Sequence, residues 1–203
     1  RFGFRRVVLL TGFGGEQIWN YFGRGEKWGL WLEYSHEPVP LGTAGALRHA
    51  GPRLISEPFL VLNGDTFVGA DPRELLRFHL ARQADISLFL VEVPQADRYG
   101  SVELDEGGRV RCFREKGGGL GPGLINAGVY AFSRKVLEEI PPGRPCSLEQ
   151  EVLPSLVAHH RVWGLAVRSP FIDIGLPGSY RYLQQHYREL WDESLLPEHP
   201  RPG

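Results

Sequence analysis

Apolar runs of strand length return along this chain, each followed by a segment able to form a helix, and that alternation limits the fold more than any other feature. Val7-Val8-Leu9-Leu10 is uninterrupted, as a strand buried on both faces requires. A short helix candidate follows over 16–22, then a strand over 30–34, a helix over 43–49 and another buried strand over 59–62. The next helix has a marked start, with Asp71 as N-cap, Pro72 at the first helical position and Glu74 three residues after the cap. A strand over 86–93 comes after it. Repeated strand–helix–strand units predict an α/β domain with a mostly parallel, mixed sheet and helices on both faces.

From residue 99 to 130 the rhythm changes to shorter strands separated by glycine-rich turns. Ser101-Val102-Glu103-Leu104, the turn Asp105-Glu106-Gly107-Gly108 and Arg109-Val110-Arg111-Cys112-Phe113 predict a β-hairpin. Ser147-Leu148-Glu149-Gln150 is a capping box opening a helix that runs to His159. A strand over 163–167 and a helix over 177–191 close the pattern, and the proline-rich end predicts a frayed tail over 194–203. The reading is one domain over 1–193, and a chain of 203 residues is long enough for a proper core. A formal net charge of -1, with both signs intermixed, argues against a nucleic-acid partner or a membrane-facing patch. No apolar run approaches the length that spans a bilayer. Cys112 and Cys146 show no C-x-x-C spacing and read as free thiols of a reducing cytoplasm.

Four segments are able to carry chemistry, and each also has a purely structural reading. In Leu62-Asn63-Gly64-Asp65-Thr66 a buried strand ends and a carboxylate emerges at its carboxyl edge, where open α/β sheets bind ligands. Asp65 there suits Mg2+ with its retained waters, or a turn in which it bonds its own backbone. In Phe171-Ile172-Asp173-Ile174-Gly175 a carboxylate interrupts an apolar run and needs a partner, a cation or an exposed edge. Leu41-Gly42-Thr43-Ala44-Gly45 enters a helix on small residues, which serves either a close-lying nucleotide or tight helix packing. Lys116, after Phe113-Arg114-Glu115, is a point charge for a phosphate or a solvated lysine, and Asn126 starts a strand as a sugar ligand or a turn residue. Gly12-Phe13-Gly14-Gly15 lacks the G-x-G-x-x-G spacing and reads as an ordinary strand-to-helix turn.

In this order the segments resemble the nucleotidyltransferase family that makes NDP-sugars from a nucleoside triphosphate and a sugar 1-phosphate. The matching run is Leu41-Gly42-Thr43-Ala44-Gly45, Asn63-Gly64-Asp65, Tyr99-Gly100, Glu115-Lys116, Asn126-Ala127-Gly128 and Phe171-Ile172-Asp173-Ile174-Gly175, covering nearly the whole chain. Gly123-Leu124-Ile125-Asn126-Ala127-Gly128, Ser147-Leu148-Glu149 and Phe171-Ile172-Asp173-Ile174-Gly175 together look most like the D-glycero-D-manno-heptose 1-phosphate guanylyltransferases, with the mannose-1-phosphate enzymes close behind. The resemblance implies a Rossmann-like, glycosyltransferase-A-like nucleotide-diphospho-sugar transferase fold. It implies that Asp65 and Asp173 bind a catalytic Mg2+, and that Leu41, Gly42, Thr43, Ala44 and Gly45, with Asn63 and Gly64, line the nucleotide pocket. It further implies that Tyr99, Gly100, Glu115 and Asn126 contact the sugar, and that Lys116 holds its phosphate. The nucleotide would be GTP. The phosphate of the sugar 1-phosphate would attack the α-phosphorus and pyrophosphate would leave, with no covalent enzyme nucleophile.

The chain departs from that family at its start. The family's first strand, its G-G-x-G-T-R-L loop and a P-K-P lysine are not present, and a unit of about 50 residues would lie upstream of Arg1. The expectation is therefore an N-terminally incomplete domain whose sheet lacks a central strand. Two other readings stand beside this one. A glycosyltransferase using an NDP-sugar normally shows D-x-D, whereas Asp65 is followed by Thr66 and Phe67. A regulatory sugar-nucleotide-binding relative has no need of Asp65, Asp173 and Lys116 together.

Overall fold

The computed structural model describes residues 2–96, 99–113, 121–175 and 177–190, with the side chains of 187–190 left aside. Glu115, Lys116 and the 194–203 tail lie outside the described residues. Strand β1 (Arg6–Thr11), helix α1 (Gly15–Phe22) and strand β2 (Trp31–His36) form a parallel βαβ unit in which Val8 pairs with Glu33. Gly14, at φ 74°, caps α1 in the left-handed region that a glycine adopts without strain, so the glycine run is the turn it reads as. Helix α2 (Gly42–Ala50), strands β3 (Phe59–Leu62) and β4 (Thr66–Val68) and helix α3 (Pro72–Arg82) follow. The start of α3 obeys its local signal, because the Asp71 carboxylate accepts the Arg73 N–H at 2.9 Å.

The central sheet joins β3, β8 (Gly123–Phe132), β5 (Ile86–Val93) and β9 (Val162–Val167), in that order. Strands β5 and β9 run parallel, and β8 runs against both β3 and β5. The sheet is thus mixed, with a larger antiparallel share than the strand–helix alternation suggests. The chain enters β8 from the hairpin of β6 (Val102–Leu104) and β7 (Val110–Phe113), not from a crossover helix, so it returns beside β5 in the opposite direction.

Strand β5 explains why its sequence is apolar without a break. Ile86, Leu88 and Leu90 pack into one core with Leu47 of α2, Leu137 of α4 (Lys135–Glu139) and Leu153 of α5 (Leu153–Ala158). Phe89 and Val91 face the other way, onto Leu75 of α3. Both faces are covered by helices, as the pattern predicts. Opposite β5 the ladder jumps from Leu88–Tyr130 to Leu90–Asn126, so β8 carries a bulge at Ala127-Gly128-Val129.

The capping box at Ser147 forms with one change. Ser147 Oγ accepts the Gln150 N–H at 3.2 Å, but the bond back to the Ser147 N–H comes from Glu151, at 3.0 Å. The first turn, Leu148–Val152, is a wider π turn, which delays the returning side chain by one residue. Pro154 has no N–H to give to Gln150 and favours the wider turn. Last come β10 (Phe171–Asp173), antiparallel to β4, and helix α6 (Pro177–Leu190). Neither Cys112 nor Cys146 is in a disulfide, and no described helix is long and apolar enough to cross a membrane.

Candidate active site

The short β4–β10 pair gathers the two acidic segments. Asp173 lies opposite Thr66 in the ladder, and the Ile174 N–H donates to the Asp65 carbonyl at 2.8 Å. Segments more than a hundred residues apart are thereby held side by side. A Cβ on Gly175 would stand 3.0 Å from Asp173 Oδ1 and 3.9 Å from Asp65 Oδ2, so both carboxylates border one small space that glycine leaves open. Asp173 Oδ1 also accepts the Gly175 N–H at 2.8 Å, which fixes its rotamer. Asp65 is exposed and Asp173 half-buried, and among the described residues neither has an ion-pair partner. Two hard oxygen donors at an open edge fit Mg2+, which takes one or two carboxylates and completes its shell with water and phosphate oxygens. Among the described residues no larger acidic or histidine cluster competes with them.

The Asn63-Gly64-Asp65 turn is locked onto the β8 bulge. The Asn63 N–H donates to the Gly128 carbonyl at 2.8 Å, and the Gly128 N–H donates to Asn126 Oδ1 at 3.0 Å. Gly128 sits at φ 74°, and a Cβ there would meet Thr66 Oγ1 at 2.6 Å and Asn63 Nδ2 at 2.9 Å. Glycine is required on both counts, the conformation and the close approach. The two motifs that the sequence presents separately are one structural junction.

At the Leu41–Gly45 turn the backbone is committed differently from expectation. The N–H groups of Ala44 and Gly45 both go to the Cys146 carbonyl, at 3.0 and 3.2 Å, and the Leu41 N–H goes to Glu37 at 2.7 Å. Leu41, Ala44 and Gly45 are buried, which leaves Gly42 and Thr43 as the exposed part of the turn. Gly42, at φ 70°, lets the Cys146 carbonyl approach to where a Cβ would be 2.7 Å away. The small residues Gly42, Ala44 and Gly45 therefore serve close packing against the 144–146 segment, while Gly42 and Thr43 also present surface.

Asn126 is oriented from below. Its Nδ2 donates to the Tyr130 hydroxyl at 2.6 Å, and that hydroxyl donates to Glu149 Oε1 at 3.5 Å. Glu149 Oε2 accepts from the Thr43 hydroxyl at 2.9 Å and from Ser147 Oγ at 3.3 Å. Burial pushes the Tyr130 phenol far above its ordinary pKa, and the Glu149 charge adds to this, so it stays protonated. Tyr99 stands edge-on to Phe171, with ring centroids 5.7 Å apart, at the head of the strand that ends in Asp173. Gly100 takes a positive φ of 79° in the same turn. Asp65, Asp173, Asn63, Gly64 and Asn126 are thus brought together directly, Tyr99 through Phe171, and Thr43 through Glu149. Thr66, Tyr130 and the linking role of Glu149 are legible only weakly beforehand, the last as a member of a capping box and Tyr130 as a buried phenol needing a partner.

Fold and site together define an open-sheet α/β protein with a carboxylate pair outside the strand ends, where such sheets take ligands. The Nucleotidyl transferase family matches residues 2–189, and the chain belongs to that family. It is 38% identical over 180 residues to the mannose-1-phosphate guanylyltransferase of Mycobacterium tuberculosis, covering 88% of this chain and 50% of that relative. It is 36% identical over 188 residues to the D-glycero-alpha-D-manno-heptose 1-phosphate guanylyltransferase of Aneurinibacillus thermoaerophilus, covering 91% of this chain and 80% of that one. The chain therefore spans about half the length of the mycobacterial relative. The crystal structure of HddC from Yersinia pseudotuberculosis superimposes with a TM-score of 0.82 at 29% identity, covering 92% of this chain and 80% of that one. A second structure of HddC, complexed with GMP-PN, superimposes with a TM-score of 0.81.

Proposed function

We propose that this chain is the catalytic part of a sugar-1-phosphate guanylyltransferase, joining GTP to a mannose-type or heptose sugar 1-phosphate. The observation that carries the reading is the placing of Asp65 and Asp173 around the space beside Gly175. The guanylyltransferase names of the two relatives and the GMP-PN complex of HddC support the choice of nucleotide and sugar class.

Two anions must meet in such a reaction. An oxygen of the sugar phosphate forms a bond to the α-phosphorus of GTP, the α–β bridging P–O bond breaks, and pyrophosphate leaves with the electron pair. Asp65 and Asp173 would hold Mg2+, whose chemistry is to neutralise charge on the phosphate oxygens. Thr43 and Gly42 face the nucleotide, with Asn63 and Gly64 at its phosphate side. Asn126, held by Tyr130 and by the Gly128 N–H, keeps an amide proton and a lone pair for the sugar. Tyr99 and Gly100 border the same side, and the family resemblance assigns Glu115 to the sugar and Lys116 to its phosphate. No acid or base needs to change protonation, so the protein works by positioning and electrostatics.

The test is Mg2+-dependent pyrophosphate release from GTP and mannose or heptose 1-phosphate by the full protein, with Asp65→Ala and Asp173→Ala beside it. Each variant is expected to lose activity on the order of 100-fold or more. Near-normal rates in either one would sink the reading.

A further inference from the structure

The Glu149 carboxylate is hydrogen-bonded towards two parts of the site. On one side is the exposed end of the nucleotide turn, Thr43. On the other is Asn126, reached through the buried Tyr130 phenol. The proton arrangement of this chain is determined throughout. The Thr43 hydroxyl accepts the Leu148 N–H at 2.7 Å, so its own proton goes to Glu149 Oε2. The Tyr130 hydroxyl accepts from the Asn126 amide, so its single proton goes to Glu149 Oε1. Every donor along the path points towards Glu149, and only a group that accepts on both oxygens satisfies the two arms at once.

We infer that Glu149 is a positioning residue that couples the nucleotide side to the sugar side, so that each substrate tightens the binding of the other. The inference rests on the guanylyltransferase reading and assigns a regulation to that same site. A nucleotide seated against Thr43 orders the Thr43–Glu149 arm, and the Tyr130–Asn126 arm is then already oriented when the sugar arrives. By linkage the effect is reciprocal. The geometry also explains why the site uses a carboxylate and not an amide. A glutamine would turn its NH2 group onto one of the two hydroxyls, and that hydroxyl would lose its bond to residue 149. Glu149→Gln therefore disables one arm and spares the other, whereas Glu149→Ala disables both.

Neither variant removes a core side chain, because Glu149 is exposed, and a melting curve is to be taken of each as a check of folding. The measurement is calorimetric affinity for the non-reactive α,β-methylene analogue of GTP, with Mg2+, in the absence and presence of saturating mannose 1-phosphate. The wild type should bind the analogue about 5-fold or more tightly when the sugar phosphate is present, within the usual range of coupled sites. That factor should fall towards one in Glu149→Ala and in Tyr130→Phe, the second variant keeping the carboxylate and breaking only the sugar-side arm. In steady-state kinetics Tyr130→Phe should raise the KM for the sugar phosphate and, by reciprocity, that for GTP at saturating sugar phosphate, while affinity for the GTP analogue alone stays unchanged. An undiminished coupling factor in Glu149→Ala overturns the inference, and so does a wild type without coupling, while GDP-sugar formation by that wild type leaves the functional reading standing. A wild type that releases no pyrophosphate overturns both.

Discussion

Replacing Gly175 by alanine tests the carboxylate pair without touching either carboxylate. Gly175 is exposed and outside the left-handed region, so alanine meets no backbone strain. Its N–H still reaches Asp173, and the only change is a methyl group in the space between the two acids. That methyl would stand 3.0 Å from Asp173 Oδ1, tighter than nine in ten real contacts of its kind, so the oxygen must move by a few tenths of an ångström. Mg2+ tolerates such a shift poorly, since its bonds to oxygen are short, about 2.0–2.1 Å, and nearly octahedral. Disturbing a ligand's support in this way typically costs about 10–100-fold in metal affinity, equivalent to roughly 1.4–2.7 kcal/mol. The assay is the Mg2+ concentration giving half-maximal pyrophosphate release at saturating substrates, with a melting curve beside it. The midpoint should rise by that factor while Tm stays within a few degrees. Gly178→Ala serves as control, because nothing lies within 4 Å of its added methyl and alanine favours the helix. An unchanged Mg2+ midpoint in Gly175→Ala would refute the placement of the metal between Asp65 and Asp173.

Gly128→Ala should cost about 2–4 kcal/mol, from its left-handed φ and from the contact with Thr66, visible as a fall in Tm of roughly 5–15 °C. Asp71→Ala should cost about 1 kcal/mol by urea unfolding, since it removes the acceptor at the start of α3. His79 gives stability a pH dependence. Ser133 Oγ donates to the Ala84 carbonyl and so receives His79 Nε2–H, while Nδ1 accepts from Ser87, an arrangement that holds only the neutral ring. Burial pushes the His79 pKa below its ordinary value, against the nearby charges of Glu57 and Asp85. The unfolded chain then takes up a proton first, so stability should be full above about pH 6.5 and fall as the pH drops below it. His79→Gln should flatten that slope, and an equal slope in the variant would refute the assignment.

The local signals proved reliable where one segment suffices to decide. The Asp71-Pro72-Glu74 start of α3, the unbroken apolar run of β5 and the hairpin around Gly107-Gly108 each encode their own conformation, through a cap, a doubly buried strand and a turn. The helix after Ser147 shows the limit of such signals, because Pro154 widens the first turn and gives the return bond to Glu151. Strand direction in the sheet was less legible. Whether β8 runs with or against β5 depends on what connects them, and a hairpin leaves a fainter mark on sequence periodicity than a crossover helix.

The candidate site divides along the same line. Residue chemistry and order by themselves singled out the candidates, since Asp65, Asp173, Asn126 and the Leu41–Gly45 turn stand in the sequence as an acid at a strand end, an acid in an apolar run, an amide at a strand start and a small-residue helix entry. Only the tertiary structure decided that β4 pairs with β10 and so brings Asp65 beside Asp173. It alone decided that Cys146 takes the N–H groups of Ala44 and Gly45, and that Glu149 joins Thr43 to Asn126. These are bonds between segments distant in sequence, and no local propensity encodes them, because their energy appears only when the core has already brought the chains together.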